Sequence, residues 1–151
     1  MEADRKGTAY LIAQLLLIGV YLLTPGQMFF ENSGFINGMA IGVFFFGMAL
    51  MTLAALQQYR NLSPFPSPKK ESKLITSGAY RCIRHSIFTG LALSAIALAT
   101  IKESPIHLAL AFILTTLLHF KAKCEEKLLI EMFEDYPGYQ SKTGRLLRRL
   151  F

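Results

Sequence analysis

Apolar and polar residues fall into long blocks rather than alternating at the spacing of a soluble strand or an amphipathic helix. Residues 7–30, 32–59, 85–101 and 104–120 contain no Asp, Glu, Lys or Arg. Uncharged runs of this length predict helices that cross a membrane. The first span is expected over residues 8–23, stopped by Pro25-Gly26, which removes a backbone donor and then allows a turn. The second is expected over 35–56 and contains Gly38-x-x-x-Gly42, a spacing that lets two helix backbones approach closely in lipid. The third and fourth, 86–101 and 104–120, are about 17 residues each, or about 26 Å, near the short limit for crossing a bilayer. Between them Lys102-Glu103-Ser104-Pro105 offers a hairpin turn, an N-cap serine and a proline suited to a first helical turn. The expectation is an all-α membrane protein: a single membrane domain over residues 1–151, with about four transmembrane helices, a loop over 59–84 and a tail over 121–151.

Composition supports that reading. The chain is 52% hydrophobic and 17% charged, whereas soluble domains carry about 25% charged residues, so an ordinary soluble globule is excluded. The net charge of +6 changes meaning once the basic residues are sorted by segment. Two precede the first span, six lie in the central loop and seven in the tail, while the opposite side has only Lys102. Because cytoplasmic segments carry the Lys/Arg excess, both termini and the central loop are expected in the cytoplasm. The positive charge is then membrane topology, not a nucleic-acid footprint. Arg5 and Lys6 precede an apolar run without an A-x-A-like cleavage site, so this run is read as a retained helix. Cys82 and Cys124 are too few for a disulfide scaffold. His107 and His119 are too far apart on one helix for a single metal site, and no metal is expected. No G-x-x-x-x-G-K-[ST] or G-x-G-x-x-G motif occurs after a strand.

Chemistry is therefore sought in the loop and tail. The loop begins NLSPFPSP, whose prolines forbid helix. The tail ends RLLRRLF, a basic amphipathic segment suited to an anionic interface. The densest cluster is LITSGAYRCIRHSIFTG over 74–90, where a titratable imidazole meets a guanidinium at a membrane boundary. Arg84 suits a carboxylate, and Tyr80 or Phe88 a flat ring; equally, Arg81 and Arg84 suit positive-inside anchors and Tyr80 an interfacial aromatic. A second cluster is KAKCEE over 121–126, in which Lys121 and Glu125 share a helical face at i,i+4. As a solvated pair this is worth only about 0.3–0.5 kcal/mol. Its Lys-before-Glu order and its carboxylates near a helix C-terminus are both unfavourable, which favours a functional role.

Taken together, the two clusters resemble the isoprenylcysteine carboxyl methyltransferases and the related phospholipid methyltransferases. That family carries LvtsGpYryvRHPxYxG, a membrane hairpin, RxxxEExxLxxxF and spaced tyrosines. Residues 74–90 match the first motif, and Lys121, Glu125, Glu126, Leu129 and Phe133 the second, followed by Tyr136 and Tyr139. The resemblance implies a membrane enzyme that uses S-adenosyl-L-methionine, with the cofactor site built by the loop, the end of the fourth helix and a C-terminal amphipathic helix. Position by position, it implies that Lys73, Leu74 and Ile75 border the cofactor, that Tyr80, His85 and Phe88 line it, and that Glu125 binds its polar groups. Lys121 stands where the family has an Arg facing the reacting end of the substrate. Arg84 is the motif arginine, either structural or charge-binding. Ser86 replaces the motif Pro, Phe88 a Tyr, and Lys121 the Arg, which removes a bidentate carboxylate fork.

The implied acceptor is lipophilic or membrane-associated, such as an isoprenylcysteine-like carboxylate. The expected partners are that acceptor and membrane lipids, with no nucleic acid. Two other readings stand beside the methyltransferase. An inactive relative would serve as a membrane scaffold or lipid-binding module. A small four-helix transporter would usually need an ionisable residue within the membrane, and the apolar runs offer only Gln14, His107 and His119 as candidates.

Overall fold

In a computed structural model the chain is all-helical, and residues 2–26, 31–59 and 74–147 are described. Four long helices follow in order: α1 (Glu2–Leu23), α2 (Gly34–Gln58), α3 (Ser86–Ile101) and α4 (Pro105–Met132). A 3-10 turn, Gly78–Arg81, precedes α3, and a short helix α5 (Tyr136–Lys142) follows α4. Among the described residues three helices are long and apolar enough to cross a membrane, Arg5–Leu23 within α1, α2 and α4; α3 is a shorter apolar helix. Many large side chains face outward, among them Leu16, Leu23, Phe35, Phe45 and Phe112. In an apolar solvent this is the expected arrangement.

The shorter α3 is the inner element. Its buried positions are small: Gly90, Ala92, Ser94, Ala95, Ala97 and Ala99. Small residues on an inner helix let its neighbours pack backbone to backbone. The closest approach is to α2, where a Cβ added at Gly90 would lie 2.6 Å from the carbonyl oxygen of Gly47. The mirror addition at Gly47 would lie 2.8 Å from the carbonyl oxygen of Gly90. The Gly38-x-x-x-Gly42 pair does not make this seam: nothing lies within 4 Å of a Cβ at either position. On the other side, Leu114 and Leu118 of α4 join Ala92, Ala95 and Tyr21 in the apolar core.

The α3–α4 turn is held by polar contacts. Ser104 caps α4 by accepting the N–H of His107, and Pro105 opens the helix. Glu103 takes a positive φ of 52°, and its buried carboxylate accepts from the Asn32 backbone at 3.1 Å and from Asn37 Nδ2 at 3.0 Å. His107 is fully buried, bridging Lys102 Nζ and Ser104 Oγ at 3.0 Å each, and the Tyr21 hydroxyl donates to the Ala95 carbonyl at 2.7 Å. His107 thus serves the turn, whereas His119 lies 3.4 Å from Arg145 Nη1.

At the other end α4 runs on. Its 28 residues rise about 42 Å at about 1.5 Å per residue, against a hydrocarbon core of about 30 Å. The last turns therefore project beyond the apolar layer, and residues 121–126 sit at its edge. The tail departs from the expected pattern: its described helix is α5, and residues 143–147 are extended or bent rather than amphipathic helix. Gly144 makes a parallel bridge with Ile83, through Arg84 N to Gly144 O at 2.9 Å and Gly144 N to Cys82 O at 3.0 Å. The proline-rich part of the loop, Lys73 and residues 148–151 lie outside the described residues.

Candidate functional site

The two motifs converge where α3 begins and α4 leaves the apolar layer. His85, the residue before α3, is buried between the adjacent carboxylates of α4. Its Nδ1 lies 3.8 Å from Glu125 Oε2 and its Nε2 3.5 Å from Glu126 Oε1. Phe88, one turn into α3, stacks on the imidazole with ring centroids 5.4 Å apart and planes 12° off parallel. Lys121 brings its ammonium 4.9 Å from the Phe88 ring centre and 4.0 Å from Glu125 Oε1. Four of the residues singled out from sequence, His85, Phe88, Lys121 and Glu125, therefore form one constellation.

The two glutamates play different parts. Glu126 is a charge hub whose side chain is only 3% exposed. Arg84 Nε donates to its Oε1 at 2.9 Å; Arg145 donates to Oε2 through Nε at 2.9 Å and Nη2 at 2.6 Å, and Gln140 Nε2 through a bond of 3.3 Å. Hydrogen bonding to Glu126 holds the Arg145 guanidinium above its ordinary pKa. Glu125 is 23% exposed on its side chain and, among the described residues, accepts no hydrogen bond. One carboxylate is thus committed to the fold and its neighbour is available.

Arg84 is turned away from that available carboxylate. Besides Glu126 it donates to the carbonyls of Gln140, at 2.9 Å, and Thr143. It fastens the strand-like residues 143–145 against the start of α3, helped by Thr89 Oγ1 donating to the Leu146 carbonyl at 2.7 Å.

Tyr80 is buried in the 3-10 turn, its hydroxyl donating to the Ala54 carbonyl of α2 at 3.3 Å, and the Tyr139 hydroxyl donates to the Tyr80 carbonyl at 2.6 Å. Burial pushes the Tyr139 phenol up to about 12 and the Tyr80 phenol higher still, so both remain donors at neutral pH. Gly78 explains the turn's glycine: its φ is +62° and the Gln57 side chain packs where a Cβ would project. Ser86, which replaces the motif proline, donates to the carbonyls of Ala79 and Ile83 at 2.7 and 2.8 Å. This hydroxyl constrains the entry to α3 by hydrogen bonding instead of by a ring. Leu74 and Ile75 are half-buried upstream and share no hydrogen bond with the constellation among the described residues.

Sequence reasoning missed three contributors. Arg145 and Gln140 read as surface tail, and nothing local marks them as partners of Glu126. Gln14 of α1, whose Oε1 accepts from Lys121 Nζ at 2.8 Å, did carry a signal, as a lone amide in an apolar run.

An all-helical bundle with spans long enough for a membrane, and with acidic, basic and aromatic side chains gathered at one end, defines a membrane protein with a built polar site. The phospholipid methyltransferase family model matches residues 35–136, which include both motifs, and the chain belongs to that family. It is thus a membrane protein of a methyltransferase family. No curated protein sequence matches the chain.

Proposed function

We propose that the chain transfers the methyl group of S-adenosylmethionine to a lipophilic or membrane-associated acceptor, from a site facing the cytoplasm. The observation that carries the reading is the constellation of an available carboxylate, Glu125, beside the His85–Phe88 stack. The residues present fit such a cofactor. His85 is held with Nε2 against Glu126 Oε1 at 3.5 Å and Nδ1 toward Glu125, and Glu125 has acceptor capacity to spare. A molecule bearing an amino group, hydroxyls and a flat heterocycle meets these needs.

When bound, this cofactor supplies a methyl group on a positively charged sulfur, which a nucleophile displaces in line. The chain's part is then mainly binding, orientation and exclusion of water. Glu125 takes the polar groups of the cofactor, Tyr80, His85 and Phe88 line it, and Leu74 and Ile75 border it. Lys121 faces the acceptor. Arg84 acts as a positioning residue, holding Glu126 and residues 143–145 so that His85 and Glu125 keep their places. The Lys/Arg excess at the N-terminus, central loop and tail supports cytoplasmic termini and entry of a water-soluble cofactor from that side. The acceptor class follows from the apolar surroundings of the site. Lys121 lacks the guanidinium fork, so an isoprenylcysteine-like carboxylate is one candidate within the wider lipophilic class.

Calorimetric titration of S-adenosylhomocysteine into the detergent-purified protein tests the reading. Glu125→Ala removes a charged acceptor worth about 1.5–3 kcal/mol, so its affinity should fall on the order of 10- to 100-fold. His85→Ala should weaken binding in the same direction, whereas Lys121→Ala should bind normally and turn over slowly. A folded wild type that binds nothing at millimolar ligand would overturn the proposal and favour a scaffold role. Equal binding by wild type, Glu125→Ala and His85→Ala would overturn the site assignment.

A further inference from the structure

On the far side of Arg84 from Glu125, a cleft of about 500 Å³ opens beside α5 and residues 143–147. Arg84, Arg145, Gln140, Ser141 and Thr143 line it, with the exposed side chain of Leu147 at its rim. None of the side chains assigned above to cofactor or acceptor contacts it, and no acidic side chain lines it. Two guanidiniums meet the cleft, and one buried carboxylate, Glu126, serves both. One positive charge is therefore left over beside it.

Hydrogen bonding is unfinished in the same place. Arg84 spends Nε on Glu126 and Nη1 on Gln140 and Thr143, while its Nη2 has no acceptor among the described residues. Tyr136 precedes Gln140 by one turn on α5, so the two share a face. Its hydroxyl is buried, feels the charges of Glu126 and Arg84, and makes no hydrogen bond of its own. A buried hydroxyl without a partner is costly and calls for an explanation. Spare donors beside a spare positive charge want a group that is anionic and made of acceptors.

We propose that this cleft is a second binding site, separate from the cofactor constellation, and that it takes a phosphodiester. Such a group carries a single negative charge, equal to the charge left over, and its oxygens suit a guanidinium fork. The cleft is far larger than a bare oxyanion, and its remaining lining matches what esterifies the phosphate. Gln140 and Ser141 face the hydroxyls of a headgroup, and Leu147 faces an apolar attachment. Its walls join Arg84, next to His85, to residues 143–147, so a ligand here braces the docked C-terminal segment. The inference stands independently of the methyltransferase reading.

Three probes test it on the full-length protein in detergent. Dioleoylphosphatidylglycerol carries a phosphodiester on a lipid, glycerophosphoglycerol is the same headgroup without acyl chains, and dioleoylglycerol has the chains without phosphate. By native mass spectrometry wild type should retain dioleoylphosphatidylglycerol about tenfold better than dioleoylglycerol, with or without saturating S-adenosylhomocysteine. Saturable calorimetric binding of glycerophosphoglycerol as well would identify a soluble phosphodiester as sufficient, whereas binding of the lipid alone would identify a lipid headgroup. Tyr136→Phe removes only the hydroxyl that bonds to nothing, so it should melt like wild type and yet lose most of the preference. It changes no charge, and a preference arising merely from the net charge of +6 would survive it. Arg145→Gln should lose the preference too. Absence of phosphodiester binding by wild type, wild-type preference in Tyr136→Phe, or displacement of the probe by S-adenosylhomocysteine would overturn the inference. A wild type that binds the phosphodiester but not S-adenosylhomocysteine would uphold the cleft and overturn the cofactor reading.

Discussion

Glu126→Ala should cost about 3–5 kcal/mol and free the C-terminal segment from the bundle. The side chain is almost wholly buried and is the common acceptor for Arg84, Arg145 and Gln140. Removing it leaves the Arg84 guanidinium, itself 7% exposed on its side chain, without its counter-charge. An uncompensated buried charge is the costly outcome, far more so than loss of a surface pair. The Arg145 guanidinium then keeps only its 3.4 Å contact with His119, and the bridge between Ile83 and Gly144 loses its support on both sides. Thermal unfolding in detergent checks the energy, and protease cleavage within residues 133–147 checks the release. A variant that melts like wild type and resists cleavage would show that Glu126 is not the hub.

Gly90→Leu should destabilise the bundle by about 3 kcal/mol, at the upper end of overpacking effects. The cause is not the backbone dihedral of Gly90 but its neighbours. An added Cβ meets the Gly47 carbonyl at 2.6 Å and the Met51 backbone nitrogen at 2.8 Å, and a helix backbone cannot rotate aside as a side chain can. The helices must separate, which strips van der Waals contact along the seam, and close packing is a main source of helix association in lipid. Because α3 also carries Phe88 and follows His85, Gly90→Leu should also weaken the S-adenosylhomocysteine binding proposed above. Gly42→Leu is the matched control, since nothing lies within 4 Å of its Cβ. Equal stability of the two variants would disprove the seam.

That contrast shows where the sequence could and could not be read. Charge-free runs placed the helices well, since a charge within lipid is costly wherever the partners lie; α3 starts and ends at residues 86 and 101 as expected. The Gly38/Gly42 spacing instead describes a possible face on one helix without naming what it faces, and the observed seam joins Gly47 to a glycine on another helix. In the candidate site, ordered motifs singled out His85, Phe88, Lys121 and Glu125, which the fold brings together. Glu126 sits in the same motif, but its partners Gln140 and Arg145 lie 14 and 19 residues on, and Gln14 pairs with Lys121 across 107 residues. No local periodicity encodes such pairings. The turn of chain at 143–145 was equally hidden, being held by one bridge and the Arg84 guanidinium.

The burial of Glu126 sets how the molecule responds to ionic strength. Mobile ions screen charges that face solvent over about 8 Å at physiological salt, and buried pairs much less. Any attraction of Arg5 and Lys6 at the start of α1, or of Lys127 and Lys142 beyond the site, for an anionic bilayer weakens as salt rises. The bonds among Arg84, Glu126 and the Arg145 side chain lie largely beyond the reach of those ions. Salt that loosens the protein's surface from lipid headgroups therefore leaves the C-terminal segment docked and the residues around His85 in place.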